Sequence, residues 1–279
     1  MNSLKTKFLF FAFIVALFFT ACEEKPVVIP EFTIQETGRV VLVEELTGVK
    51  CPNCPAGSAR LKEAQTLAPD NVVIVAVHGI DLAEPLEQSL FDFRNEDAAD
   101  LENFLKPFLG KPAAYFNRNQ FEDLNGDWGH SFNGQWISLV AEELERPQVM
   151  NLSIIKEYDV QNRQINIKVS ALPLEDLLGE FKMTIMLTES KIIDAQDDQR
   201  SIIEDYEHNF VLREIITNFD GDFVSNDLPA NELLTRDYTF TVPEDVEWEL
   251  DNLAIVAFIA NTEGESEEIL QAAETSLLD

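Results

Sequence analysis

Val40–Lys62, VVLVEELTGVKCPNCPAGSARLK, is the stretch that governs how the chain is read. It is an apolar run, a turn at Thr47-Gly48, a cysteine pair Cys51-Pro52-Asn53-Cys54, and then a helical pattern. Two thiols three positions apart at the start of a helix can close a disulfide, and the positive end of the helix stabilises the thiolate of the first. This arrangement reads as a dithiol redox centre. Cysteine pairs at this spacing also form half of a zinc site, but zinc needs four ligands. Apart from Cys22, the chain offers only His78, His130 and His208, none in a paired ligand pattern, so no metal and no other cofactor is expected. An inert structural disulfide remains open as an alternative.

The residues around the pair suggest an alternating α/β arrangement. Arg39–Glu45 is a near-continuous valine and leucine run, as expected of a strand covered on both faces. Ala56–Leu67 has helical spacing and stops before Pro69, and Asn71–Val77 (NVVIVAV) reads as a second buried strand. Strand, helix, strand implies a parallel sheet, and ligand chemistry in such sheets sits beyond the C-terminal ends of the strands. The first strand delivers Cys51 to that side. One or two helices are expected between His78 and Lys106, a short strand after the Gly110-Lys111-Pro112 turn, and a helix over Asn133–Glu145 stopped by Pro147.

The N-terminus sets the compartment. Met1–Ala21 carries Lys5 and Lys7 followed by an apolar run from Phe8, the pattern of a secretory signal rather than of a membrane span. Phe19-Thr20-Ala21-Cys22 resembles a bacterial lipobox, which makes Cys22 the expected lipidated N-terminus and leaves Cys51 and Cys54 as a pair. Residues 22–34, with two prolines, read as a tether. Export places the pair where disulfides persist, in the cell envelope with the chain anchored to the outer membrane on its periplasmic or surface face. Losing Lys5 and Lys7 from 20 basic residues leaves 18 against 51 acidic ones, a net charge of −33. Such a chain repels nucleic acid, so no nucleic-acid partner is expected.

From about Gln148 the pattern changes. Gln164–Ser170 and Phe181–Thr188 alternate apolar and polar residues, as half-buried antiparallel strands do, and Tyr238–Val242, Leu253–Ala260 and Glu268–Ala273 continue the series. The expected architecture is an α/β domain over 35–147 followed by an all-β, immunoglobulin-like β-sandwich over 148–279.

The strand ending in a cysteine pair, the following helix and the later Gly-Lys-Pro turn into a strand together resemble the thioredoxin fold. That resemblance implies a cis-proline loop at Pro112, with Lys111 before it, packing against the disulfide and helping to bind extended peptide. It also implies a buried carboxylate six residues before the first cysteine, a position held by Glu45. Neighbouring Glu44 points to the opposite face and is expected to be solvent-facing or paired. Lys50 stands where thioredoxins usually carry tryptophan, and Pro55 after Cys54 also departs from them. More closely, Val43-Glu44-Glu45-Leu46-Thr47-Gly48 leading into Cys-x-x-Cys-Pro, the Gly-Lys-Pro-Ala-Ala turn, and Tyr206-x-His208-Asn209-x-Val211-Leu212-Arg213 resemble the outer-membrane protein 28 family of thioredoxin-like lipoproteins.

Charge patterning adds an expectation about the site. Gly48–Lys62 holds Lys50, Arg60 and Lys62 with no acid, and Asn103–Phe121 holds Lys106, Lys111 and Arg118 with no acid. Brought together, the two windows would surround the disulfide with positive charge and favour the Cys51 thiolate. In the distal motif, His208, Arg213 and nearby Asp205 are more consistent with a segment fastened by hydrogen bonds than with a metal or anion site. Two functions stay open on these residues. One is thiol–disulfide exchange on the thiols or disulfides of exported proteins, with Cys51 attacking and Cys54 resolving. The other is a surface binding or assembly lipoprotein whose disulfide braces the fold.

Overall fold

The computed structural model describes residues 38–105, 107–121, 128–131, 134–264 and 266–278. The expected signal segment, the Cys22 anchor, the tether and Lys106 lie outside the described residues.

β1 (Val41–Leu46) and β2 (Val72–Val77) pair in parallel, Val41 opposite Val72 through Leu46 opposite Val77, and every residue in both is buried. This is the burial that their uninterrupted apolar character predicts. Between them runs α1 (Cys54–Leu67), which buries Cys54, Gly57, Leu61 and Ala64. α2 (Glu96–Phe104) starts at Asn95, whose side chain accepts a hydrogen bond from the Ala98 N–H, with Glu96 and Asp97 in the favourable first turn. β3 (Ala113–Phe116) runs antiparallel to β1, β4 (His130–Ser131) pairs with β3, and α3 (Trp136–Leu144) follows.

The second half supplies β5 (Met150–Asp159), β6 (Gln164–Pro173), β7 (Leu177–Glu189), β8 (Ile192–Asp198), β9 (Ser201–His208), β10 (Val211–Ile215), β11 (Asp222–Leu228), β12 (Leu234–Thr241), β13 (Leu253–Asn261) and β14 (Glu268–Ser276). Here the structure corrects the expected thioredoxin-like α/β domain followed by an immunoglobulin-like sandwich. Strands from both halves form one mixed sheet, in the order β14-β13-β7-β10-β2-β1-β3-β4 with β11 also on β7. The join is β10, parallel to β2 at Val211 opposite Ala76 and antiparallel to β7. The Ala76 N–H donates to the Phe210 carbonyl at 2.7 Å. The chain is mostly strand, and its second half completes the sheet begun by the first.

The core follows from this sheet. One face carries Leu42, Val75, Met186, Leu212, Val256 and Phe258, drawn from both halves and covered by Leu101 of α2 and Leu105 just past its end. The other face is divided. At the β1–β2 end, Val41, Val43 and Ile74 pack with Leu61 of α1 and with Trp136 and Val140 of α3. At the β7–β13 end, Ile185, Leu187, Ile255 and Ala257 pack with Ile165, Ile167 and Val169 of the three-stranded sheet β12-β6-β5. Period-two alternation identified a buried face on those strands correctly. It carried no information on which sheet each would join, because pairing partners are set by contacts remote in sequence.

β8 and β9 stand apart as a two-stranded hairpin. Their sequence, IIDAQDD and SIIEDYEH, is acidic and only partly alternating, and for that reason the hairpin is not legible as a pair of strands.

Candidate functional site

Cys51 and Cys54 form a disulfide with an S–S distance of 2.05 Å. The Cys51 N–H donates to the Gly48 carbonyl at 3.0 Å and the Cys54 N–H to the Cys51 carbonyl at 3.2 Å, so the loop winds directly into α1. Pro55 occupies the first helical turn, where a missing N–H costs nothing. The Lys111–Pro112 peptide is cis, and Pro112 lies against α1 at Gly57. A Cβ on Gly57 would come within 2.9 Å of Pro112 Cγ and 3.1 Å of the Trp136 ring, so the close approach requires glycine. The structure thus brings Pro112 to the helix that carries the disulfide.

The disulfide is covered. Cys51 is 0 % and Cys54 1 % exposed, although Asn53 between them is exposed. The cover is the β8–β9 hairpin. Gln196 Nε2 donates to the Gly48 carbonyl at 3.2 Å and the Cys51 carbonyl at 3.1 Å, and the Asp197 N–H donates to the Val49 carbonyl at 2.8 Å. At its far end, Asp194 accepts from the Leu90 and Phe91 N–H groups at 2.7 and 3.1 Å, which pins the strand to the loop before α2.

The positive surround expected from the charge windows is neutralised. Lys50 pairs with Glu84 at 2.7 Å, Arg60 with Glu63 at 2.6 Å and Lys62 with Glu207 at 3.5 Å. Lys111 is buried against Glu102 at 2.9 Å and also donates to the Thr47 and Asp81 carbonyls at 2.9 and 2.7 Å. Its ammonium group therefore holds the loop beside the site together and is not presented to a peptide. Lys50 and Lys62 found acids far along the chain, whereas Glu63 and Glu102, the partners of Arg60 and Lys111, lie one residue outside the two acid-free windows.

Alternation along β1 separates the two glutamates as expected. Glu44 is buried and paired with Arg118, whose Nε and Nη2 donate at 2.8 and 2.6 Å. Glu45 is on the other face, buried, and accepts from the Ser58 hydroxyl at 2.9 and 3.1 Å. Burial raises its pKa from 4.5 to about 8, with the Ser58 hydrogen bond acting in the opposite direction. At neutral pH this carboxyl holds its proton.

Glu45 and Cys54 line the same cavity of about 260 Å³, together with Ser58, Tyr206, His78 and His208. Burial, and then the charge on Glu45, push the Tyr206 phenol up to about 12. Burial lowers His208 to about 4 and takes His78 well below its usual value, with His208 and Lys111 adding to the latter. Both imidazoles are therefore neutral. Their ring centroids are 6.0 Å apart and both pack on Phe93. His78 stands in no paired ligand pattern in the sequence, although it immediately follows β2 on the side where parallel sheets place ligands.

The distal motif is divided between two roles. Arg213 is buried and donates to Glu189 at 2.8 Å, fastening β10 to β7 as hydrogen-bond anchoring predicts. Tyr206 and His208 belong to the cavity. Gln196, Asp194 and Glu102, which position the loop and its cover, carried no readable sequence signal, being single polar residues within acidic stretches.

Removal of the Gln196 side chain is expected to speed reduction of the disulfide. Two hydrogen bonds at a net 0.5–1.5 kcal/mol each correspond to a rise in rate of roughly 5- to 150-fold if both must break first. Timed thiol trapping of Gln196→Ala and wild-type protein in dithiothreitol measures it; equal rates would mean the hairpin does not control access.

Among the described residues no helix is long and apolar enough to cross a membrane. No match is found among curated proteins. Among solved structures the chain is similar to HBP35 of Porphyromonas gingivalis, at 14 % identity and a TM-score of 0.65, over 86 % of this chain and 76 % of that one. It also aligns with a domain of the outer membrane lipoprotein Omp28 from Porphyromonas gingivalis at 20 % identity and a TM-score of 0.33, over 46 % of this chain and 88 % of that one. A family model described as outer membrane protein Omp28 matches residues 107–276, the segment running from the Pro112 loop through the Tyr206–Arg213 motif to β14, and the chain belongs to that outer membrane protein family.

Proposed function

We propose that the protein exchanges thiols and disulfides with exported proteins through Cys51 and Cys54, anchored to the outer membrane by a lipidated Cys22. The observation that carries this reading is Glu45. A disulfide that only braces a fold needs no buried, uncharged carboxylic acid at its side, and burying such a group without an ionic partner is costly. A pKa of about 8 leaves a fraction of Glu45 ionised at neutral pH, and that fraction can take a proton from a reduced Cys54 in the shared cavity.

In the direction that oxidises the protein, the Cys51 thiolate attacks a client disulfide, forms a mixed disulfide and expels one client thiolate. Cys54 then gives its proton to Glu45 in its ionised form, about one molecule in ten at pH 7, through the shared cavity and attacks Cys51 Sγ, releasing the second client thiolate. The client gains two electrons and the protein's dithiol loses two. Pro112, against α1, shapes the surface that a client strand meets once the hairpin has moved aside.

A second reading is favoured by burial: with both cysteines covered and the nearby cations paired, the disulfide serves as a brace in a binding or assembly protein. Insulin reduction and scrambled-ribonuclease refolding separate the two. Exchange predicts activity in the wild type that Cys51→Ser abolishes and that Gln196→Ala increases. Equal rates for wild type and Cys51→Ser, with a reduction potential below about −300 mV, would establish the brace.

A further inference from the structure

The cavity beside Cys54 contains a second unexplained feature. Both ring nitrogens of His78 and Nε2 of His208 have no hydrogen-bond partner, yet the two residues are only 2 % and 4 % exposed. The Ala76 backbone lies close enough to His78 to act on its pKa as a hydrogen bond would, but the contact falls outside hydrogen-bond geometry, so the ring nitrogens count as unpartnered. Buried polar atoms left unpaired cost about 1–3 kcal/mol each, so their retention calls for a ligand.

We propose that reduction of the disulfide opens a site for one borderline or soft d10 cation, Zn(II) or Cu(I), held by Cys54, His78 and His208 beside Glu45. Metal–nitrogen bonds of 2.0–2.1 Å put each imidazole centroid about 3.2 Å from a shared ion, so two such rings span up to about 6.4 Å. The observed 6.0 Å lies within that reach. Both imidazoles are neutral, as ligands must be, because burial depresses their pKa values. One thiolate with two imidazoles suits zinc and copper and is wrong for calcium or magnesium, which take oxygen ligands.

With the disulfide closed, no three His, Cys, Asp or Glu groups among the described residues stand where they could hold a metal ion. Glu45, His78 and His208, which need no sulfur, therefore do not converge on an ion in this state, and the proposed site forms only when reduction frees Cys54 as a thiolate ligand. A dithiol reductant transfers two electrons and two protons to the Cys51–Cys54 bond and becomes a disulfide itself. The freed Cys54 thiol then loses its proton to solvent as the cation binds. The inference rests on the exchange reading only in requiring a reducible disulfide.

Zn(II) titration against a chromophoric chelator tests it, in a Cys22→Ser background so that the anchor thiol cannot contribute. Expected results are one Zn(II) per chain for reduced protein and none for oxidised protein. Cys51→Ser, which frees Cys54 permanently, should bind without reductant. His78→Gln and His208→Gln should each weaken binding at least tenfold while the oxidised proteins keep the wild-type circular dichroism. Affinity unchanged within threefold in both histidine variants, or no binding by reduced wild type and Cys51→Ser, overturns the proposal. Client exchange assayed in chelator-treated buffer reports on Cys51 and Cys54 independently, so failure of one reading is visible without failure of the other.

Discussion

Glu45→Gln is expected to stabilise the protein at pH 8 and above and to remove a pH dependence that the wild type shows between about pH 4.5 and 8. The folded chain keeps the Glu45 proton up to about pH 8, whereas the unfolded chain releases it near 4.5. Between those values the native state binds more protons, so the free energy of unfolding falls as pH rises. The favourable contribution of the neutral acid is complete below about pH 4.5 and lost above about pH 8. A shift of this size corresponds to at most about 5 kcal/mol across the window. Glutamine keeps the acceptor for Ser58 and the volume but carries no proton to lose. Urea unfolding of both proteins at half-unit pH intervals would show a sloping difference curve, flat below pH 4.5. Parallel curves for wild type and variant would mean that Glu45 is ionised in the folded state and would remove the main support for proton exchange with Cys54. The same variant should slow the resolving step of client exchange while leaving the first attack by Cys51 unchanged.

Arg118→Ala is expected to destabilise the protein by roughly 3–5 kcal/mol, since truncating one member of a buried ion pair strands the other charge without solvent. Arg118 donates twice to Glu44, and its guanidinium lies 5.1 Å from the ring centroids of both Phe104 and Phe258. These contacts tie β1 to α2 and to β13, residues from both halves of the chain. The double variant Glu44→Gln, Arg118→Met should recover most of the loss, because it leaves no unpaired charge. A double-mutant cycle by chemical denaturation measures the coupling. A loss below about 1 kcal/mol for Arg118→Ala would indicate that Glu44 is reached by water and that the pair resembles a surface salt bridge.

Sequence and structure agree most closely where information is local. The disulfide spacing, the two buried strands and the alternation of β6 follow from neighbours within a few residues; α1 begins at Cys54 rather than the expected Ala56, the described part of α3 begins at Trp136 rather than Asn133, and β7 is buried on both faces from Met183 where alternation implied one. The assignment of Glu44 and Glu45 to opposite faces follows from strand geometry alone. The positive surround failed for the converse reason. Charge counts in a window say what a segment carries, but Glu102, Glu84 and Glu207 reach Lys111, Lys50 and Lys62 only through the fold.

By itself the sequence determined that a cysteine pair stands at the mouth of a helix between two buried strands, in a strongly acidic chain. Only the tertiary structure decided that β10 joins the two halves into one sheet, that the β8–β9 hairpin closes over the disulfide, and that His78 and His208 meet beside Cys54. The physical reason is one of range. Propensity, periodicity and capping act over a few residues, whereas strand partners, ion-pair partners and cavity walls are chosen by whichever distant segments bury the most apolar surface together.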